Sequence, residues 1–345
     1  MRLMRMKALA GIVVVLGCSI LVIGQDRVTQ VRHTNSRIVK TIPLGGTGLW
    51  DRMALDSAER RLYVPRDTHV ALLDVDTGAT VGDVAGTQEA HGVALAPELG
   101  RGFVSNGLRN TVTVFDLKTL KTIAEVKTGR KPDAIVYDSA SKTVFAMNSG
   151  ERSITAIRAA DGTVRGTIQL VDDPDDAVSD GQGHLYVNVT DPAEIAVVDT
   201  ATLSVLRRIP LAPCHEPTGI AMDIKNRRLF SGCGNSLLVI TDADSGRFVA
   251  KTSTGARTDS VAFDPEPGLV FVANGEGTVT IVHEETAEKF SVVQNLRTRR
   301  GARTLALDGK THRLFLATAV FQSSAQIEGV GLIKPESFKI LIVGK

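Results

Sequence analysis

Seven times along the chain an apolar run closes on a recurring ending, at spacings of 41 to 44 residues. The endings are Met53-Ala54-Leu55-Asp56, Ala94-Leu95-Ala96-Pro97, Ile135-Val136-Tyr137-Asp138, Ala177-Val178-Ser179-Asp180, Ile220-Ala221-Met222-Asp223, Val261-Ala262-Phe263-Asp264 and Leu305-Ala306-Leu307-Asp308. Six or seven residues past each ending an aromatic opens the next apolar run: Tyr63, Phe103, Phe145, Tyr186, Phe230, Phe271 and Phe315. Apolar stretches of four to six residues alternate with turn residues and show no helical period, so each repeat reads as short strands. A fixed period of about 40 to 45 residues made of short strands predicts a β-propeller, in which each repeat is one four-stranded blade.

In blade one the pattern predicts strand a over Arg52 to Leu55, b over Arg61 to Val64, c over Val70 to Asp74, and d after the Asp76-Thr77-Gly78 turn. Later c strands end alike, in Val114-Phe115-Asp116, Val197-Val198-Asp199 and Ile240-Thr241-Asp242, with Arg158 and His283 substituting in blades three and six. Blade seven reaches a c strand, Lys339 to Val343, and there the sequence ends, while a d-like strand, Arg37 to Leu44, precedes blade one. The N-terminal strand is therefore expected to complete blade seven and leave no open edge in the ring. The expected fold is all-β: a seven-bladed β-propeller of four-stranded antiparallel blades over 37–345.

Repeats such as Lys131-Pro132-Asp133-Ala134-Ile135-Val136-Tyr137-Asp138, followed by strand b and a Val-Ile-Asp-like c strand, resemble the bacterial YVTN-repeat propellers, often called YncE-like. The resemblance covers roughly 37–345 and implies an exported seven-bladed propeller; it is specific for architecture and not for activity. A single Trp argues against a WD40 array and against quinoprotein propellers with a Trp motif in each blade.

With 345 residues and 43% hydrophobic side chains the chain can bury a large core, which at 4% aromatics must come mainly from Val, Ile, Leu and Ala. Arg2, Arg5 and Lys7 precede an apolar or small run from Ala8 to Gly24, the layout of an export signal. The expected organisation is a signal peptide over 1–24, an extension over 25–36, then the propeller, with a periplasmic or secreted destination. The alternatives are an uncleaved anchor, which alone would touch a membrane, and a lipoprotein at Cys18. Losing 1–24 removes three basic side chains and takes the formal charge from +2 to −1, which does not suit a polyanion binder. The cluster Arg297-Thr298-Arg299-Arg300-Gly301-Ala302-Arg303 fits a solvated loop or an anionic small ligand. Without stacking aromatics it does not point to nucleic acid.

Gly-x-Ser-x-Gly, His-Glu-x-x-His, P-loop and Cys-x-x-Cys motifs are all missing, so candidate chemistry has to be sought by position in the ring. A propeller site usually lies at the channel mouth, made by loops entering strand a and loops joining b to c. Five residues before each ending lie Asp51, Gly92, Asp133, Asp175, Thr218, Asp259 and Arg303, one per blade. Each Asp has a bland reading as a cap for loop N–H groups of a neighbouring blade. Arg303, between Asp259 and Asp51, is expected to neutralise its own sector. Blades two to five bring His91, Asp133, Asp173, Asp175, Asp176, His215 and Glu216 to the rim, with Lys131 as their offset. Crowded carboxylates favour a cation among them. Asp133, Asp175, Asp176, His91 and His215 are the candidate metal ligands, for calcium if oxygen ligation dominates and for zinc, manganese or iron if the histidines take part. The expected rim is divided, with that negative arc facing Arg52, Arg257, Arg300 and Arg303, and it suits a zwitterionic ligand or a metal-bridged anion; the competing reading is that the charges pair internally.

Two further features bear on the mouth. Cys214 enters strand a of blade five and Cys233 leaves strand b, so an antiparallel hairpin brings them close enough for a disulfide in an oxidising compartment, with two offset free thiols as the alternative. The connection from about Val320 to Glu336 is long and carries Phe321, Ile327, Val330, Leu332 and Ile333, as a cover over the mouth would. Three functions stay open: a monomeric exported protein binding a small molecule or protein partner at its mouth, which is favoured; a metal-assisted lactonase, hydrolase or lyase; or a scaffold in an envelope assembly.

Overall fold

The computed structural model describes residues 34–322 and 333–345. The expected signal segment, and the part of the extension before Thr34, lie outside them. Seven antiparallel four-stranded sheets follow one another around a ring, and six of them run a-b-c-d in chain order. The seventh orders its strands as Leu305–Asp308, Arg313–Thr318, Lys339–Gly344 and then Arg37–Pro43. Arg37 faces Gly344 and Pro43 faces Lys339, so the N-terminal strand closes the ring as the strand count requires. Thr34 and Ser36 dock on blade six, donating to the Gln294 side-chain oxygen at 2.7 and 3.2 Å. Among the described residues no helix is long and apolar enough to cross a membrane.

The aromatics that open each strand b explain the packing. Tyr63, Phe103, Phe145, Tyr186, Phe230 and Phe315 are fully buried and Phe271 nearly so. Each lies in a strand with neighbours on both sides, where two faces pack against adjacent blades and alternation of polar positions is lost. Strand a of blade one departs from expectation: it is Ala54–Asp56, and Arg52 instead makes an isolated bridge to Gly92 of blade two. Strands b and c of that blade, Arg61–Arg66 and His69–Asp74, extend further toward the mouth than their apolar cores suggested.

The Asp endings hold the face opposite the mouth. Asp308 and Asp180 accept backbone N–H groups of their own a–b turns, and their second oxygens accept from the next blade, from Arg60 at 2.6 Å and from Arg227 at 3.2 Å. Asp264 is met likewise by His312 Nδ1 at 2.8 Å. Arg60, Arg227 and His312 all have positive φ in the a–b turn, and blade six has Gly268 at this position. Gly268 has no side chain to offer Asp223, and the buried Glu284 approaches that carboxyl instead. Burial and the Asp223 charge push the Glu284 carboxyl up to about 7. The folded state then holds a proton that the unfolded chain releases near pH 4.5, so stability falls as pH rises from there through 7. Glu284→Gln should therefore raise stability at pH 8 by roughly 1 to 2 kcal/mol after solvent screening, and change it little at pH 5. Urea unfolding at the two pH values checks this, and an equal effect at both would refute the shared proton.

Cys214 and Cys233 are joined by a disulfide with Cα atoms 5.4 Å apart. Pro217 faces Cys233 in the a–b ladder, and the chain before it turns back far enough for Cys214 to reach across.

Candidate functional site

Strands a and c run away from the mouth while b and d run toward it, so the d–a entries and b–c loops of all blades converge on one face. They enclose a cavity of about 710 Å³ lined by Asp51, Arg52, His91, Lys131, Asp133, Asp175, Glu216, Arg257, Asp259, Arg300 and Arg303, with Leu49, Trp50 and Phe321 among the others. Most of the rim residues expected from the repeat register thus face one space.

Their pairing differs from a divided rim. Arg52, expected opposite the acidic arc, crosses the channel from blade one to blade four and donates from Nη2 to Asp175 Oδ1 at 2.5 Å and from Nη1 to Asp176 Oδ2 at 2.8 Å. The correction has a simple cause: a long guanidinium side chain spans a narrow channel, and two half-buried carboxylates are its best available partners. Asp176 also accepts the Ile220 N–H of blade five, the capping role, and does not line the cavity. Burial pushes the Asp175 carboxyl up to about 7, against the pull of Arg52 and with the help of Asp259, Asp133 and Asp176. Burial likewise raises Asp176, again against Arg52. In the neighbouring sector Arg303 pairs with Asp259.

His91 is the centre of the second cluster. Its Nδ1–H donates to Asp51 Oδ2 at 2.9 Å and lies 3.8 Å from Asp133 Oδ1, while Nε2 is 3.9 Å from Glu89 Oε1 and has no hydrogen-bond partner. Burial works against the imidazolium, but Asp51, Asp133 and Glu89 outweigh it and raise His91 to about 9. Burial and the Asp51 charge raise Asp133. Asp51 is pushed up by burial, yet its bond from His91 and the charges of Arg303, His91 and Arg52 leave it below the usual range.

These positions change the candidate metal set. Asp175 and Asp176 turn to Arg52, and His215 is exposed and does not line the cavity; its backbone N–H donates to Asn235. What converges is Asp51, His91 and Asp133, whose ligand atoms all lie within 4.8 Å of one another. That spacing puts three donors within reach of one cation, although one proton on His91 satisfies the same atoms. Phe321 and Ile333 of the expected cover pair as a bridge, while Ile327, Val330 and Leu332 lie outside the described residues.

Several lining residues were not read as site residues from the sequence, among them Leu49, Trp50, Asp67 and Glu89. Trp50 carried a signal, as the chain's one tryptophan placed directly before the rim residue Asp51. No protein-family model matches the chain, and no curated protein matches it. A seven-bladed propeller suits a binding or scaffold role.

Proposed function

We propose that this is an exported propeller of the YVTN-repeat kind, acting without catalysis, whose channel mouth binds a small ligand through groups of both charge signs. The observation that carries the reading is the cavity at the mouth with the Arg52 ion triad set across the channel, which gives a ligand a pocket rather than an open pore. Several lining groups are buried or half-buried, where a fixed charge attracts a ligand more strongly than in water. The Cys214–Cys233 bond supports an oxidising compartment, and the basic-then-apolar N-terminus supports export.

The test is a thermal-unfolding screen of the purified chain against small zwitterions, anions and cations, followed by calorimetry of any compound that shifts the transition. Asp133→Asn combined with Asp175→Asn should weaken such a ligand by about tenfold or more. It should lower the unfolding temperature only modestly, because Arg52 keeps Asp176 as a partner and His91 keeps Asp51. A double variant that binds as well as the parent would remove these carboxylates from the site.

The Asp51, His91 and Asp133 cluster favours a second reading, metal-assisted hydrolysis or lyase chemistry, with a divalent cation displacing the His91 proton. Zinc, manganese or calcium added to chelator-treated protein should then bind with proton release, and His91→Gln should abolish it. Absence of binding at pH 8 would exclude that chemistry at this cluster.

A further inference from the structure

Outside the ring of paired charges the mouth carries a second tier, built on left-handed backbone. Glu89, Lys131, Glu216 and Arg257 stand two residues before His91, Asp133, Thr218 and Asp259, with φ between 48° and 60°, and all four line the cavity. Blade seven has Gly301 at this place with φ +81°, the residue such a backbone prefers. Four blades instead hold a long charged side chain there, against the steric preference of an L-residue. The b–c loop of each of these blades makes room for it. A Cβ on Gly107 would come within 2.8 Å of Glu89 Oε2, on Gly150 within 3.3 Å of Lys131 Cβ, on Gly234 within 3.0 Å of Glu216 Oε2, and on Gly275 within 3.1 Å of Arg257 Cβ. None of these four glycines has a positive φ, so the turn itself does not demand glycine; the charged side chain beside it does.

Most of the charge at the mouth is spent within the protein. Arg52 goes to Asp175 and Asp176, Arg303 to Asp259 and His91 to Asp51, while Arg257 and Arg300 have interactions of their own. Glu89 turns to His91, with 3.9 Å between Oε1 and Nε2, and Asp67 offsets the charge of the buried Arg66. Two lining groups are left over. The exposed Lys131 ammonium is felt by Asp133 but makes no hydrogen bond or ion pair among the described residues, and the exposed Glu216 carboxylate makes none either. They carry opposite charges on blades three and five, with blade four between them. Charges held apart in this way call for a ligand whose own charges are apart.

We propose that Lys131 and Glu216 are the two ends of a subsite for a linear ω-amino acid, whose carboxylate accepts from the Lys131 ammonium and whose ammonium donates to the Glu216 carboxylate. The proposal rests on the reading of the mouth as a ligand site and names the class of ligand. An α-amino acid carries both charges close together and reaches one end only. A simple anion or cation leaves one of the two groups unmet.

The full chain is titrated by calorimetry at low ionic strength with 6-aminohexanoate, glycine, hexanoate and hexylamine. 6-Aminohexanoate should bind at least about tenfold more tightly than any of the other three, because it alone forms both charge-assisted hydrogen bonds. Lys131→Gln and Glu216→Gln should each weaken it by about tenfold, the first to the level of hexylamine and the second to the level of hexanoate. Both side chains are exposed, so the unfolding temperature should stay where it is in either variant. Exchanging the charges, Lys131→Glu together with Glu216→Lys, should recover the binding that either change alone removes, since a ligand charged at both ends can bind reversed. Equal affinity for 6-aminohexanoate and for hexanoate or hexylamine, or a double exchange as weak as the single ones, would overturn the proposal. If other compounds from the wider screen bind but 6-aminohexanoate does not, the subsite alone falls. If nothing binds by any readout, the reading of the mouth falls with it.

Discussion

Deletion of the chain through Gly46 is expected to abolish cooperative unfolding of the ring. Strand Arg37–Pro43 is the outer strand of blade seven and pairs along the whole length of Lys339–Gly344. Without it, that strand presents unpaired N–H and C=O groups to solvent and to other molecules. The loss also reaches the core, because Ile42 is 5% exposed and packs in one cluster with Trp50, Phe315, Phe338 and Ile340. Light scattering should show aggregation and circular dichroism a broad, early transition. A truncated chain that melted like the parent would show that ring closure contributes nothing. Ile42→Ala gives a gentler measure, with an expected loss of about 2 to 4 kcal/mol from the lost methyl groups and the cavity they leave.

Replacing Arg52 by Met is expected to destabilise the protein by about 1 to 3 kcal/mol at pH 8, because it leaves the half-buried Asp175 and Asp176 without a counter-charge. The loss should depend on pH in a defined direction. Both carboxyls already lie above the ordinary carboxylate range with Arg52 present, and Asp175 reaches about 7. Removing the guanidinium takes away the main influence holding them down. The folded variant would then bind protons that the unfolded chain releases near 3.8, so its stability rises as pH falls from about 8 toward 4. Adding Asp175→Asn and Asp176→Asn to the Arg52→Met chain should restore much of the loss at pH 8, since a neutral site no longer needs the cation. Denaturant unfolding at pH 5 and pH 8 measures both effects. A pH-independent loss, or no recovery in the triple variant, would show that Arg52 acts through packing alone.

The residues at the mouth were legible to different depths. Repeat register assigns each to a blade and to one face of the ring, so the sequence alone groups Asp51, His91, Asp133, Asp175, Asp259 and Arg303. Register says where a Cα lies around the channel, not how far a side chain reaches. Arg52 reaches across the ring to blade four, and that reach turns an expected rim of opposed charges into a linked one. The same limit applies to His91: its neighbours Asp51 and Asp133 come from the blades on either side, so the cluster exists only where three separate loops meet. His215, identical in kind and also near a strand-a entry, faces solvent because its loop turns back through the Cys214–Cys233 bond.

By itself the sequence determined the number of blades, the strand that closes the ring and the aromatic at the heart of each strand b. These follow from local periodicity, turn residues and a count of strands, and each blade must bury its faces against its neighbours whatever the details. Only the tertiary structure decided which charges are matched, which carboxyls keep a proton near neutral pH, and that Trp50 packs between Phe321 and Phe338 at the cavity wall. Those properties depend on distances between groups from different blades and on how much water remains between them, and the energy of a charge changes severalfold with both. A hydrophobic pattern repeats because burial is additive along the chain; a binding site does not repeat, because it is made where the repeats differ.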